Sequence, residues 1–246
     1  MKFTQAWHQL KHWQEERRRE ILPEVIDRTG NIVQHGPFSG LKLIPEWCWG
    51  DGDHAAKLLG IYECELYDAT LSHLSNKPDL IANIGCAEGF WGVACASKTD
   101  ADLFFVDVEP RALELAGKNA QLNDIKYAGT TEFDTDKFNV LLNKYNNPFV
   151  FMDCEGAELD YLDPVKVPAI DRASVVVETH DCFVEGVSAT VAERLADSHD
   201  IQVIMQGAKN PYVDPINDFG DEDKWILVNE NRPHTMFWLS MTPKQR

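Results

Sequence analysis

The chain has 246 residues, with 23 Lys or Arg against 40 Asp or Glu, and a formal net charge of −17. A surface this acidic repels phosphate backbones, which argues against a nucleic-acid partner. No apolar run reaches the roughly 18–20 residues of a membrane helix. The opening MKFTQAWHQLKHWQEERRRE lacks the apolar stretch of a signal peptide, so the expected location is the cytoplasm, with no membrane partner.

In chain order, residues 3–20 carry Ala6, Trp7, Leu10 and Trp13 at helical spacing. Arg17, Arg18 and Arg19 lie among Glu15, Glu16 and Glu20 and read as a solvated helix face. RTGNIVQHGPFSGLKLIP follows, with turn signals at Gly30, Gly36, Pro37 and Gly40 around two short strand-like pieces. DHAAKLLGIYECELYDATLSHL reads as one or two helices. Residues 1–77 hold too little apolar material for a core of their own, so they are expected to form an N-terminal cap on a main domain, 78–246.

A regular alternation then begins. Strand-like runs DLIANIG, DLFFVDVE, KYAGTT, PFVFMDC, SVVVETH and IQVIMQ are separated, for the most part, by helix-like GFWGVACASK, PRALELAGKNAQLN, DKFNVLLNKY and SATVAERLADS. This rhythm predicts an α/β fold, a doubly wound Rossmann-like sheet with helices on both faces. The last apolar run, HTMFWLSM, follows a helix-like DEDKWILVNE and is expected to return as an antiparallel edge strand, completing seven strands. The six cysteines form no CxxC pair and read as reduced thiols.

LIANIGCAEGFWG puts Gly85 and Gly89 between the first core strand and its helix, where a nucleotide-like ligand approaches the backbone of a doubly wound sheet. A dinucleotide fingerprint would need glycines at 85, 87 and 90, where this chain has Gly85, Ala87 and Phe90. A GxxxG turn suits S-adenosylmethionine better, because that ligand has no pyrophosphate. Its amino-acid head would be held by Asn83 and the backbone amides of Gly85, Cys86, Ala87 and Gly89. Asp107, with Glu109 as neighbour, ends the second strand where ribose hydroxyls are gripped. The other reading of these acids is a helix N-cap before Pro110.

NIGCAEGFWG, DCEGAELDYL and VVVETHD together resemble the class I S-adenosylmethionine-dependent methyltransferases, and within them the FkbM-type family. The stretch DCEGAE is the most specific of the three. GIYECEL is similar to a Tyr-Glu element that precedes the first motif in that family, which implies that Glu63 reaches the cofactor; the other reading of Glu63 is a surface helix glutamate. Asn83 stands where most members have Asp, and Cys86-Ala87-Glu88 also departs from the pattern.

Methyl transfer needs an acceptor held in line with the methyl group, and a hydroxyl acceptor must also lose a proton. Candidate groups belong at the carboxyl ends of strands: Asp153 and Glu155 after the fourth, Glu178 and His180 at the fifth. His180 is a general base with an orienting carboxylate nearby, or a strand-end residue that only caps; Asp153 is the other candidate base. No metal is assigned, although Asp153, Glu178 and His180 or Asp181 offer an oxygen-rich, magnesium-type alternative. Glu158 is left open, while Asp160 and Asp163 read as the solvated start of a helix. The long loop 207–223 reads as a substrate-side lid with Tyr212 and Phe219 as contacts, or as a disordered excursion. The expected activity is O-methylation of a small molecule or glycan; the alternatives are a protein or N-methyltransferase, and a non-catalytic cofactor-binding protein of the same fold.

Overall fold

The computed structural model describes residues 3–49, 52–232 and 234–244, with side chains from residue 10 onward. Its elements are α1 (Phe3–Thr29), α2 (His54–Leu59), α3 (Tyr67–Ser75), β1 (Leu80–Ile84), α4 (Phe90–Ala96), β2 (Asp102–Val106) and α5 (Pro110–Leu122). There follow β3 (Tyr127–Thr130), α6 (Thr135–Asn143), β4 (Pro148–Met152), α7 (Glu158–Tyr161), β5 (Ser174–Thr179), α8 (Val187–Leu195), β6 (His199–Met205), α9 (Asp221–Val228) and β7 (Phe237–Pro243). No described helix is long and apolar enough to cross a membrane.

The chain forms two compact units, Met1–Cys64 with Ala208–Asn231, and Glu65–Gly207 with Arg232–Arg246. The division expected after residue 77 differs from this one in two respects. Helix α3 belongs with the sheet, because His73 stacks on Phe149 at 5.2 Å and its Nε2 lies 2.9 Å from Ser240 Oγ. Residues 208–231 return to the first unit.

In the first unit α1 runs on to Thr29, and the two expected strand pieces reduce to a single bridge, Ile32 with Lys42. Arg18 is buried rather than solvated, and Arg17 makes a two-pronged ion pair with Asp223 at 2.7 Å. The loop expected to act as a lid is fastened to α1. Arg28 donates to Pro215 O at 2.7 Å and to Asp218 at 2.5 Å, and its guanidinium lies 4.5 Å above the Phe219 ring. Tyr212 is exposed beside Lys224.

In the second unit the sheet order is β3-β2-β1-β4-β5-β7-β6. Strands β1 to β5 pair in parallel, while β7 is antiparallel to both β5 and β6. The expected antiparallel strand is therefore present one place in from the edge, with β6 as the edge itself. LIANI, PFVFM and SVVVET are buried at every position, as central strands covered on both faces must be. YAGT of β3, at the far edge, is largely exposed.

The sheet winds outward from β1 to β2 and β3, then resumes at β4 on the other side of β1. Ligand crevices lie at such a switch point, beyond the carboxyl ends of the strands. Ile84 is in register with both Val106 and Met152, and Met152 with Val177. Gly85, Asp107, Asp153 and Glu178 therefore emerge side by side at one end of the sheet.

Burial holds the His73 imidazole down to about 4, below its ordinary value of about 6.5. The native state thus binds this proton more weakly than the unfolded chain does. The stability contributed by neutral His73 is complete above about 6.5 and lost as pH falls towards 4. Urea melts of wild type and His73→Gln should diverge over that range, the wild type losing on the order of 2–3 kcal/mol more. Parallel curves would show that His73 does not carry this dependence.

Candidate active site

The glycine turn after β1 is built by the fold before any ligand is considered. Gly85 has φ +68°, and a Cβ there would sit 1.6 Å from the Asp153 carbonyl oxygen. The residue must be glycine because the backbone leaving β4 passes directly beneath it. The Gly85 and Cys86 amides both donate to Val106 O, at 2.8 and 3.0 Å. The Ala87 amide donates to Asp107 Oδ2 at 2.9 Å, and the Gly89 amide to Cys86 O at 2.7 Å.

Of the four amides expected to hold an amino-acid head, three donate to the end of β2 and one within the turn. Asn83 is tied in likewise. Its Oδ1 accepts the Gly92 amide at 3.0 Å, anchoring α4, and its Nδ2 lies 3.5 Å from Phe151 O. At Gly89 a Cβ would meet the Ala116 Cβ at 2.8 Å, so this glycine serves packing of α4 on α5.

Asp107 is buried, with Oδ2 on the Ala87 amide and Oδ1 on the Glu109 amide, at 2.9 Å each. It braces the two turns against each other. Glu109 is half-buried and uses Oε1 to cap α5 at the Arg111 amide, 3.1 Å away. Its Oε2 extends from the same carboxylate at the strand end. Glu63 belongs to the first unit. It is buried at φ +45°, and its amide donates to Glu230 Oε1 at 2.9 Å. Glu230 also pairs with Lys209 at 3.1 Å.

The acids and the histidine predicted at the ends of β4 and β5 do come together. Extended backbone in β5 puts Glu178 and His180 on one side, and their Oε1 and Nε2 are 3.7 Å apart. His180 Nε2 also faces Asp153 Oδ1 at 3.4 Å and Glu155 Oε2 at 3.8 Å. Glu155 (φ +55°) and Gly156 (φ +108°) turn the chain back after β4, so that Glu155 overlooks the strand end it has just left. Asp181 stands apart: it caps α8 by accepting from the Ser188 amide and hydroxyl.

Glu158 answers the open question about the acidic stretch. It is wholly buried and its Oε1 lies 2.5 Å from His180 Nδ1, which fixes the ring so that Nε2 faces the other carboxylates. Asp160 pairs with Lys166 at the surface, as expected of a solvated acid. Asp163 is mostly buried and caps the Val165 amide, which corrects its reading as solvated.

The sequence reading missed two residues. Arg232, just before β7, pairs with Glu178 Oε1 at 2.5 Å. Phe183, exposed at its outer face, stacks flat on the His180 ring at 5.6 Å. Glu178 Oε2 and Glu158 Oε2 are buried without a hydrogen-bond partner among the described residues.

Electrostatics redistribute the roles. Burial alone would lower the His180 pKa, but the Glu158 hydrogen bond and the charges of Asp153, Glu178 and Glu158 outweigh it and raise the ring to about 9. A ring raised in this way favours its protonated form, which speaks against the general-base role expected of it. Burial, reinforced by Asp153, pushes the Glu178 carboxyl up to about 7 against the opposing pull of Arg232 and His180.

The strand order with its single reversed strand is that of the class I S-adenosylmethionine-dependent methyltransferase fold. Among solved structures, precorrin-6y C5,15-methyltransferase from Geobacter metallireducens shares it with a TM-score of 0.51 at 15% identity, over 76% of this chain and 91% of that one. No family model matches the chain.

Curated relatives include the ribosomal protein L11 methyltransferase of Cyanothece sp., 29% identical over 122 residues, or 49% of this chain and 39% of that protein. The protein of the same name from Acinetobacter baumannii is 22% identical over 219 residues, 87% of this chain and 62% of that protein. The chain thus spans less than two thirds of the length of either relative. These relatives are named for a protein substrate, which overturns the expectation of a small-molecule or glycan acceptor.

Proposed function

We propose that the chain is an S-adenosylmethionine-dependent methyltransferase whose acceptor is a group on a polypeptide. One observation carries the reading. The glycine turn at the switch point and the cluster of Asp153, Glu155, Glu178 and His180 are in direct backbone contact through Gly85 and Asp153. A cofactor over the turn would therefore face the acids. The curated relatives support the methyl-transfer reading and, through their names, a ribosomal protein as acceptor; the location proposed with it is the cytoplasm. The stretch DCEGAE favours the FkbM-type branch of the fold.

When bound, the cofactor supplies an activated methyl group on a sulfonium. In this reading Glu109 Oε2 accepts from the ribose hydroxyls. Asp153 and Glu155 are 37% and 70% exposed, against 4% for His180 and 3% for Glu178. The first two are thus the members that touch an acceptor and take its proton, and the buried pair holds them in place. Positioning of this kind is worth up to roughly 7–11 kcal/mol.

Calorimetric titration of the full chain with S-adenosylmethionine, its demethylated product and NAD is the test. The first two should bind once per chain and NAD not at all. Glu109→Ala should weaken cofactor binding about 10- to 100-fold, the loss of a charged hydrogen-bond acceptor. Absence of binding by both adenosyl ligands would end the reading. Transfer of labelled methyl to ribosomal protein L11 then tests the acceptor separately.

A further inference from the structure

Two loops leave the sheet at the strand-end cluster, 153–157 (DCEGA) after β4 and 180–186 (HDCFVEG) after β5. They are held against each other. His180 Nε2 stands 3.8 Å from Glu155 Oε2, and a Cβ on Gly156 would lie 3.4 Å from Val184 Cγ2. The second loop is closed by its own backbone, because the Phe183 and Val184 amides both donate to His180 O, at 2.9 and 3.0 Å.

That turn presents apolar side chains which the core does not use. Phe183 is 60% exposed and Val184 is 38% exposed. Phe183 lays one face of its ring on His180. Single exposed apolar residues are ordinary. An adjacent pair, fixed on a closed turn beside a cluster of polar groups, is the kind of surface that marks an interaction site.

The charges say what covers it. The two loops carry four acids, Asp153, Glu155, Asp181 and Glu185, and neither holds a lysine or arginine. Asp181 is engaged at the start of α8, whereas the Glu155 side chain is 70% exposed and Glu185 lies at the surface. Arg232 is only 12% exposed and is engaged with Glu178. An apolar pair with an acidic rim is complementary to a basic segment that also carries a bulky apolar side chain. The net charge of −17 adds a long-range attraction of the same sign.

We propose that Phe183 and Val184, rimmed by Glu155 and Glu185, form a docking lip for a Lys- and Arg-rich segment of the polypeptide acceptor. An apolar side chain of that segment sits on Phe183 and Val184, and its cations meet the two glutamates. The inference rests on the reading of the acceptor as a polypeptide. The lip is continuous with the cluster through Glu155 and His180, so a segment held there lies next to Asp153. Its contribution is to binding, not to the transfer step.

The experiment titrates the full chain, alone and with the demethylated cofactor, against short labelled peptides followed by fluorescence anisotropy. One peptide is of lysines around a central leucine, the second replaces the leucine by serine, and the third replaces the lysines by glutamates. The first should bind tightest, the second at least about fivefold more weakly, and the third not at all. Phe183 is left intact because it rests on His180. Val184→Ser and Glu185→Lys should each weaken the first peptide at least about fivefold. Asp200→Lys makes the same charge change at the opposite end of the sheet and should shift affinity less than about twofold, since distant exposed charges are screened. Calorimetric affinity for S-adenosylmethionine, read on each variant, separates a local loss from misfolding. Absence of peptide binding, equal losses in Glu185→Lys and Asp200→Lys, or wild-type affinity in Val184→Ser and Glu185→Lys overturns the lip. Failure of both adenosyl ligands to bind, with the order of peptides intact, removes the methyl-transfer reading and leaves the lip as a binding surface.

Discussion

Gly85→Ala should fail to accumulate as folded protein, or should lose at least about 4 kcal/mol of stability. Two costs combine. The left-handed backbone at φ +68° penalises any Cβ by about 1–2 kcal/mol. The larger cost is steric. The new carbon would lie 1.6 Å from the Asp153 carbonyl oxygen, and that oxygen belongs to backbone, so no rotamer relieves the overlap. Relief requires β1 and β4 to part at their ends, where the Asp153 amide donates to Ile84 O at 2.9 Å. Gly186→Ala is the matched control. It has φ +79° and nothing within 4 Å of the added carbon, so it should cost only the backbone penalty, about 1 kcal/mol. Thermal melts should separate the two by at least roughly 6–12 °C in a chain of this size. Similar melting temperatures would mean that the turn relaxes at little cost.

The parts of the fold that could be read from the sequence are those whose signal is local. LIANI, PFVFM and SVVVET are near-continuous apolar runs because they are covered on both faces, and Pro110 after Glu109 marks the start of α5. The placement of β7 was not local. HTMFWLSM announces a strand, but its position between β5 and β6 depends on pairings such as Val176 with Ser240 and Gln202 with Ser240. The loop before α9 misled for a similar reason. Its length suggested a lid, whereas Arg28, 190 residues away in sequence from Asp218, fastens it to α1.

The site divides in the same way. The alternation of β5 and the acids after β4 were enough to bring Asp153, Glu155, Glu178 and His180 to one place. What each group does there was not legible, because it depends on which polar atoms the fold already uses. Asn83, Asp107 and the turn amides look available in sequence and are all hydrogen-bonded within the protein. Glu158, open in the sequence, is the hydrogen-bond partner that raises the His180 pKa. Arg232 lies in the stretch NENRPHT and carries no motif of its own.

Arg232→Met should destabilise the chain by about 3–5 kcal/mol at pH 8, the typical cost of leaving one member of a buried ion pair without the other. Glu178 is 3% exposed and its Oε1 accepts from Arg232 Nη1 at 2.5 Å. The guanidinium also lies 5.0 Å above the Trp238 ring, and methionine retains much of that apolar contact. The loss should therefore track the charge on Glu178 rather than packing. Adding Glu178→Gln to the same chain removes the uncompensated carboxylate, so the double variant should recover at least half of the single variant's loss. Glu178→Gln alone removes this carboxylate from the guanidinium and should also be less stable than wild type. The cycle should give a coupling of about 1–3 kcal/mol, as contacting charged pairs do. If the two losses simply add, Arg232 stabilises the chain by packing, and Glu178 holds its buried position without the guanidinium.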